Sequence, residues 1–104
     1  VIYAENDDMA KGAVAALDKA NISHGVNGDV VVMGFDCNKW ALEELFAGNW
    51  NYDGQCNPFQ ASYIDEIIKT LESGGTISEK TIIMDEKGFD ASTITQEDVD
   101  AYGI

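Results

Sequence analysis

The fold of this chain is decided by the stretch VVVMGFDCN at residues 30–38, in which six apolar or small residues run into a carboxylate. A strand with nearly every residue apolar is covered on both faces, as is typical of a parallel strand inside an α/β sheet. A second stretch of this kind, VIYAENDDMA at residues 1–10, opens the chain. Ligands bind beyond the carboxyl ends of such strands, so Asn6 and Asp36 are candidate ligand-contacting residues.

Further strands and helices are predicted on either side of residues 30–38. Apolar side chains recur at helical spacing over residues 9–20, and again after a possible cap at Asn38. A third strand is predicted at residues 52–55, a helix opened by Pro58, a fourth strand at residues 80–84 and a last short helix from Thr95 to Tyr102. The order strand, helix, strand indicates a right-handed parallel unit. We therefore predict an α/β fold, a doubly wound parallel sheet with helices on both faces.

The composition excludes several classes of function. The 104 residues include 19 acidic and 6 basic side chains, giving a net charge of -13 that would repel nucleic acid and anionic membrane surfaces. A hydrophobic content of 45% is that of a packed protein, and no apolar run approaches the roughly 20 residues of a membrane helix. Cys37 and Cys56 have no metal-binding spacing. They could form a disulfide if their strands are neighbours, and two free thiols are the preferred interpretation.

Each candidate site residue has a structural alternative. Asn6 lies between a strand and a helix, where asparagine commonly caps the helix, and by position alone capping ranks ahead of ligand binding. The same caution applies to Asp36. Trp40 is predicted to project from the helix face opposite the core, where it could stack on a sugar ring or contact a lobe or partner. Trp50 is predicted to pack in the core.

Catalytic patterns are weak in this sequence. The single histidine, His24, has no recognisable acid or nucleophile partner, and a surface histidine is the preferred interpretation. No phosphate-binding glycine loop follows either opening strand, and the acidic residues lack a calcium-loop pattern. We predict that the chain is not an enzyme and binds no cofactor or metal.

Three segments together resemble a known family. Residues 3–13 (YAENDDMAKGA), residues 32–36 (VMGFD) and residues 56–58 (CNP) before a helix are similar, in order and spacing, to type I periplasmic sugar-binding proteins of ABC transporters, the ribose-binding-protein-like group. No single motif decides the resemblance, but the ordered set spans most of the chain. The chain resembles roughly the C-terminal third of such a protein.

The resemblance implies two α/β lobes that close on a sugar and release it to a membrane permease, in an extracytoplasmic location. Asn6 and Asp36 would hydrogen-bond sugar hydroxyls, and Cys56 occupies a position where this family often has a ligand-binding glutamine. Residues 1–57 would belong to the C-terminal sugar-binding lobe, and residues 58–104 would pack on the other lobe.

The apolar stripe on the helix after Pro58 would then lack its partner, so we expect the isolated chain to self-associate through it or to repack it on its own sheet. That stripe consists of Ile64, Ile67, Ile68 and Leu71.

Two other functions stay open at this point. A sugar-responsive transcription repressor shares the fold and both motifs, and an upstream helix-turn-helix would identify one. A flavodoxin-like enzyme or a response-regulator-like module could use Asp36 as a catalytic or phosphorylated carboxylate. The sequence offers that module no acidic cluster, no suitably placed lysine and no cofactor loop.

Overall fold

Strands and helices alternate along residues 1–104, all of which the computed structural model describes. The elements are β1 (Ile2–Tyr3), α1 (Asp7–Lys19), β2 (Val32–Asp36), α2 (Lys39–Phe46), β3 (Tyr52–Gln55), α3 (Ala61–Glu72), β4 (Gly88–Asp90) and α4 (Gln96–Tyr102). The α/β class is confirmed. None of the four helices is long and apolar enough to cross a lipid bilayer.

The strands form one sheet in the order β1-β2-β3-β4. The first three are parallel, with Ile2 opposite Val32 and Met33 opposite Tyr52, so the predicted parallel unit is confirmed. β4 is antiparallel to β3, and the sheet is therefore mixed.

The fourth strand was expected at residues 80–84, and that prediction is wrong. Residues 80–87 form no regular structure, and Ile83 is 87% exposed. The apolar character of this segment suits a strand, but a strand needs a neighbour for its backbone groups, and none lies beside it here. The strand forms instead at Gly88–Asp90, where Asp90 lies opposite Tyr52.

The two faces of the sheet differ in their cover. Two right-handed crossovers that progress in the same direction place α1 and α2 on one face. That face holds Val32, Asp53 and Phe89, which are buried together with Ala41, Leu42 and Leu45 of α2. The opposite face carries an aromatic cluster of Tyr3, Phe35 and Tyr52, and Tyr3 is 62% exposed. In this chain, helices α1 and α2 thus cover one face of the sheet rather than both.

The helix ends follow local capping chemistry. Asn6 caps α1, and Thr95 forms a capping box with Asp98 at the start of α4, as the sequence predicts. Asn38 begins α2 without a side-chain cap. The inner face of α1 carries Asp7 and Ala10, which are buried, whereas Met9 is exposed.

Helix α3 and the chain after it form an arm, residues 56–87, that extends from the sheet. The molecule measures 61 × 25 × 17 Å, and no residue of α3 is buried. Ile64, Ile68 and Leu71 are about half exposed, while residues 76–82 line a shallow groove along one side of the helix. The stripe is therefore not repacked on the sheet, because the arm leads away from it. Self-association stays a prediction.

The C-terminal residues return to the main body. β4 pairs with β3, α4 packs against α2, and Phe89, Ile94 and Val99 join the core. The division at residues 57 and 58 concerns the whole protein and stays a prediction. Within this chain, residues 88–104 pack with residues 1–55.

Gly34 provides a test of how closely this body is packed. A Cβ atom at Gly34 would lie 2.6 Å from Asp7 Oδ1 and 2.6 Å from Trp50 Cζ3. We expect Gly34→Ala to lower the free energy of unfolding by about 1–3 kcal/mol, measured by urea denaturation. The matched control is Gly12→Ala in α1, where nothing lies within 4 Å of the added atom and a gain of about 0.5–1 kcal/mol is expected. Equal effects of the two substitutions would contradict the packing described for Gly34.

Candidate functional site

Three parallel strands end at one edge of the sheet, here called the carboxyl edge. Asn6 follows β1, Asp36 is the last residue of β2, and Cys56 follows β3. The topology therefore brings three of the four predicted site residues to the same edge, the usual position of ligand sites in α/β sheets.

Asn6 has a structural role that uses only part of its side chain. Its Oδ1 accepts a hydrogen bond from the Met9 backbone N–H at 2.8 Å, which confirms the predicted cap. The side-chain amide has two further donors on Nδ2, and they make no hydrogen bond within the chain. Capping and ligand binding are thus compatible in Asn6, because they use different atoms.

Asp36 stands in an unusual backbone conformation. Its φ is 123° and that of Cys37 is 60°, both in the region that non-glycine residues rarely adopt. Cys37 is fully buried, and its carbonyl accepts from the Ile104 N–H at 3.1 Å. The Asp36 side chain is half-buried and makes no hydrogen bond within the chain. The turn at residues 36–38 therefore presents a carboxylate whose acceptor capacity is unused.

Two fully buried carboxyl groups, Asp7 and Asp53, lie just beneath this turn. Asp7 Oδ2 accepts from the Asn38 backbone N–H at 2.8 Å and from Asn38 Nδ2 at 3.1 Å. Asp53 Oδ1 accepts from the Cys37 thiol, whose Sγ lies 3.9 Å away. The remaining oxygens, Asp7 Oδ1 and Asp53 Oδ2, meet no donor from the rest of the chain.

These two carboxyl groups are placed to share a proton. Asp7 Oδ1 approaches Gly34, and Gly34 is the β2 partner of Asp53, so the two side chains are buried at the same point of the sheet. Two ionised carboxylates cannot be buried side by side without a large cost. Burial raises the pKa of Asp53 to about 8, and the negative charge of Asp7 adds to the effect. Burial also raises the pKa of Asp7, against the lowering effect of the Asn38 hydrogen bonds. Burial thus opposes a second negative charge in the pair, and Asp53 is the carboxyl that keeps its proton at neutral pH.

Cys37 is a structural thiol. Burial raises its pKa, and the neighbouring charge of Asp53 raises it further, so the thiolate needed for nucleophilic chemistry does not form at neutral pH. Cys37 and Cys56 are both free, as predicted. Cys56 is exposed, and its neighbour Gln55 is already engaged, because Gln55 Oε1 accepts from the Lys87 N–H at 3.2 Å.

Trp40 lies away from the carboxyl edge residues, in a groove of about 390 Å³ between α1 and α2. It is half-buried and meets the buried Trp50 edge to face at 5.9 Å, and Lys11 Nζ lies 4.3 Å from the Trp40 ring centre. The expectation that Trp40 projects away from the core is therefore wrong, because its ring packs against the buried Trp50 and beside Lys11 of α1. Its ligand-binding role stays a prediction. Trp50 is a core residue, as expected.

His24 lies in the same groove and is not the unpartnered surface residue that the sequence indicates. Its Nδ1 is 2.8 Å from the Asn49 carbonyl and its Nε2 is 3.0 Å from Asp18 Oδ1. Two acceptors favour the doubly protonated ring, and the pKa of His24 is raised, chiefly by the Asn49 carbonyl. The groove's polar groups are thus largely paired with one another.

Sequence reasoning missed the buried Asp7–Asp53 pair. Asp7 has the sequence position of an ordinary first-turn acidic residue, and its burial depends on Gly34 leaving room above the sheet. Asp53 had one available signal, since aspartate is uncommon inside a strand. The strand register places Gly34 opposite Asp53, which no local pattern reveals.

The shared proton predicts a stability that falls as the pH rises. The pKa of Asp53 is about 8 in the folded chain and 3.8 for an unperturbed aspartate, so the folded chain binds more protons than the unfolded chain between those pH values. The free energy of unfolding should therefore be highest near pH 4 and decrease towards pH 8, by at most about 1.4 kcal/mol per pH unit for one proton.

Urea denaturation at several pH values tests this expectation. Asp53→Asn keeps the shape of the pair and removes the titrating proton, so its stability should vary less over the same range. The raised pKa of His24 contributes a decrease of the same sign in both proteins, and it cancels in the comparison. Identical pH profiles for the two proteins would rule out the shared proton.

The chain is similar to several known proteins. No protein-family model matches it. It is 35% identical over 92 residues to the fructose import binding protein FruE of Bifidobacterium longum, covering 88% of this chain and 27% of that protein. Its fold matches a galactofuranose binding protein with a TM-score of 0.83 over 96% of this chain and 33% of that one, at 23% identity. It also matches, at 26% identity and a TM-score of 0.70, an ABC transporter periplasmic solute binding protein from Actinobacillus succinogenes with bound D-allose, over 84% of this chain and 29% of that one.

These relatives are binding proteins and not enzymes, as the sequence predicts for this chain. The chain spans 27% of the curated relative and 33% or less of these two structures. In sequence and in fold, the chain matches a segment of type I periplasmic sugar-binding proteins, and the resemblance seen in its motifs is confirmed.

Proposed function

We propose that this chain is part of an extracytoplasmic receptor that binds a monosaccharide and delivers it to the membrane permease of an ABC importer. The observation that carries the proposal is the pairing of an unused amide donor, Asn6 Nδ2, with an unused carboxylate acceptor, Asp36, at the carboxyl edge of the sheet. The relatives that bind or import sugars support the same ligand class.

The chemistry of this edge suits a sugar. A carboxylate accepts from two hydroxyl groups at once, and an amide donates to a hydroxyl or ring oxygen. Neither group has to be freed from another partner before it binds. Cys56 stands at the same edge and would contact the ligand from the end of β3, while Trp40 would contribute from the neighbouring groove only if the ligand or a second lobe reached it.

The remaining lobe of the same protein is the proposed partner of the arm. The stripe on α3 is half exposed, and an exposed apolar stripe of this length is typical of a surface that another element covers. In this arrangement residues 1–57 belong to the lobe that binds sugar, and α3 of the arm packs on the other lobe. The uncovered aromatic face of the sheet would be covered by further residues of the same protein.

A transcription repressor with this fold is the main rival. No structural observation favours it over transport, and FruE and the D-allose binding protein are both transport proteins. The two functions share the sugar site, so the experiments on that site apply to both.

The sugar site is tested by thermal denaturation of the full-length protein with D-fructose, D-allose, D-galactose and D-ribose. A ligand that binds only the folded protein raises its melting temperature. We expect at least one sugar to do so, and Asp36→Ala to abolish the shift. If none of the sugars shifts the melting temperature, the proposed function is contradicted.

Asn6 requires variants that separate its two roles. Asn6→Ala removes the cap as well as the amide, at a cost of about 1 kcal/mol in stability. Asn6→Ser keeps a capping oxygen and removes only the donor, so it should melt like the unmodified protein without sugar and show little sugar-induced shift. A full shift in Asn6→Ser would show that the Asn6 side chain only caps the helix.

The partner of the arm is tested by Ile68→Ala. If the other lobe covers the stripe, this substitution should lower the free energy of unfolding of the full-length protein by about 2–4 kcal/mol. In the 104-residue chain alone, where Ile68 is 48% exposed, the cost should be under about 0.5 kcal/mol.

Ser62→Ala on the opposite side of α3 is the matched control and should change stability little in either protein. Sedimentation of the 104-residue chain reports self-association through the stripe. A small cost of Ile68→Ala in both proteins would contradict the proposed lobe contact.

A further inference from the structure

We propose that Asp7 and Asp53 are positioning residues for the sugar site: joined through one proton, they hold the turn at residues 36–38, and loss of that proton weakens ligand binding. The inference rests on the proposed function and adds a regulation to the same site. It predicts that the affinity of the receptor for its sugar decreases as the pH rises into the alkaline range.

The geometry shows what the pair holds in place. Asp7 belongs to α1 and binds both the backbone N–H and the side-chain amide of Asn38. Asp53 belongs to β3, and its Oδ1 accepts from the thiol of Cys37 at 3.9 Å. The pair therefore fastens two consecutive residues of one turn to two different elements. Asp36, directly before them, has no hydrogen bond of its own to fix its orientation.

The turn needs this support because its backbone conformation is unfavourable. Two successive non-glycine residues with positive φ persist only where surrounding contacts impose them. The hydrogen bonds from Asn38 and Cys37 to the carboxyl pair are such contacts. When they weaken, the carboxylate of Asp36 loses the direction in which it meets a ligand.

The surroundings of the pair leave little room for a second negative charge. Both side chains are fully buried. Because glycine has no side chain, Asp7 lies against the sheet at Gly34, beside Trp50. The titratable groups that act on the pair are Asp36, which is acidic, and the buried thiol of Cys37. The starts of α1 and α2 direct N–H groups towards one negative charge.

Removal of the shared proton places two like charges side by side in this setting. Separation of the two carboxyl groups relieves their repulsion. Because Asp7 is bonded to Asn38 and Asp53 to Cys37, this separation displaces both residues of the turn. The raised pKa of Asp53 puts this event in the mildly alkaline range.

The first experiment measures the affinity of the full-length protein for D-fructose and D-allose by calorimetry at about pH 6 and about pH 9. Neither sugar ionises in this range, so a change in affinity reports on the protein. We expect binding to be at least about fivefold weaker at the higher pH. Asp53→Asn keeps a donor between the two side chains and has no proton to lose, so its affinity should be nearly equal at the two pH values.

Asp8→Asn is the matched control. It removes one negative charge next to Asp7 from an exposed side chain, and the pH dependence should persist. An affinity that falls equally with pH in the unmodified protein and in Asp53→Asn would overturn the inference, and so would an affinity that does not change with pH.

The second experiment follows the Asn38 amide N–H by NMR as the pH is raised without sugar. We expect its signal to shift with the same midpoint as the Asp53 carboxyl carbon, and to stay constant in Asp53→Asn. A constant signal in the unmodified protein would overturn the inference even if affinity varied with pH. If no sugar binds but the Asn38 signal moves with the pair, the proposed function fails and the coupling between the pair and the turn stands.

Discussion

The burial of two carboxyl groups side by side constrains the whole carboxyl edge of this sheet. Asp7 can lie over the sheet only because Gly34 has no side chain, and Asp53 can be buried beside it because its raised pKa keeps it protonated. The single remaining charge is then held by N–H groups of the following turn. Packing, protonation and turn geometry thus depend on one another, and a change in one alters the others.

The same edge shows how structural and binding roles can divide the atoms of one residue. Asn6 caps a helix with its oxygen and keeps its amide donors, while Asp36 is held by its backbone and keeps its carboxylate. A ligand therefore meets groups that are already positioned, which lowers the cost of ordering them on binding. The uncovered surfaces of the chain lie elsewhere, on α3 and on the aromatic face of the sheet.

Much of the fold could be predicted from sequence because its signals are local. The apolar run before Asp36, the cap at Asn6 and the capping box at Thr95 each act within a few residues, and each was confirmed. The strand expected at residues 80–84 failed because strand formation depends on a neighbour that local sequence does not specify. The Asp7–Asp53 pair was missed for the same reason, since it joins residues 46 positions apart through the register of β2 and β3.

The return of the chain at β4 has a mechanical consequence for the arm. The arm, residues 56–87, leaves the sheet at the end of β3 and returns to it at the start of β4. The two segments that join the arm to the sheet, here called its stems, are linked by the hydrogen bond from Gln55 N–H to the Lys87 carbonyl at 2.8 Å. Twisting the arm about its length would shear the bonds between the stems, whereas bending both stems together would leave them intact. An attachment through two bonded strands therefore opposes rotation of the arm about its length more than it opposes bending of both strands together.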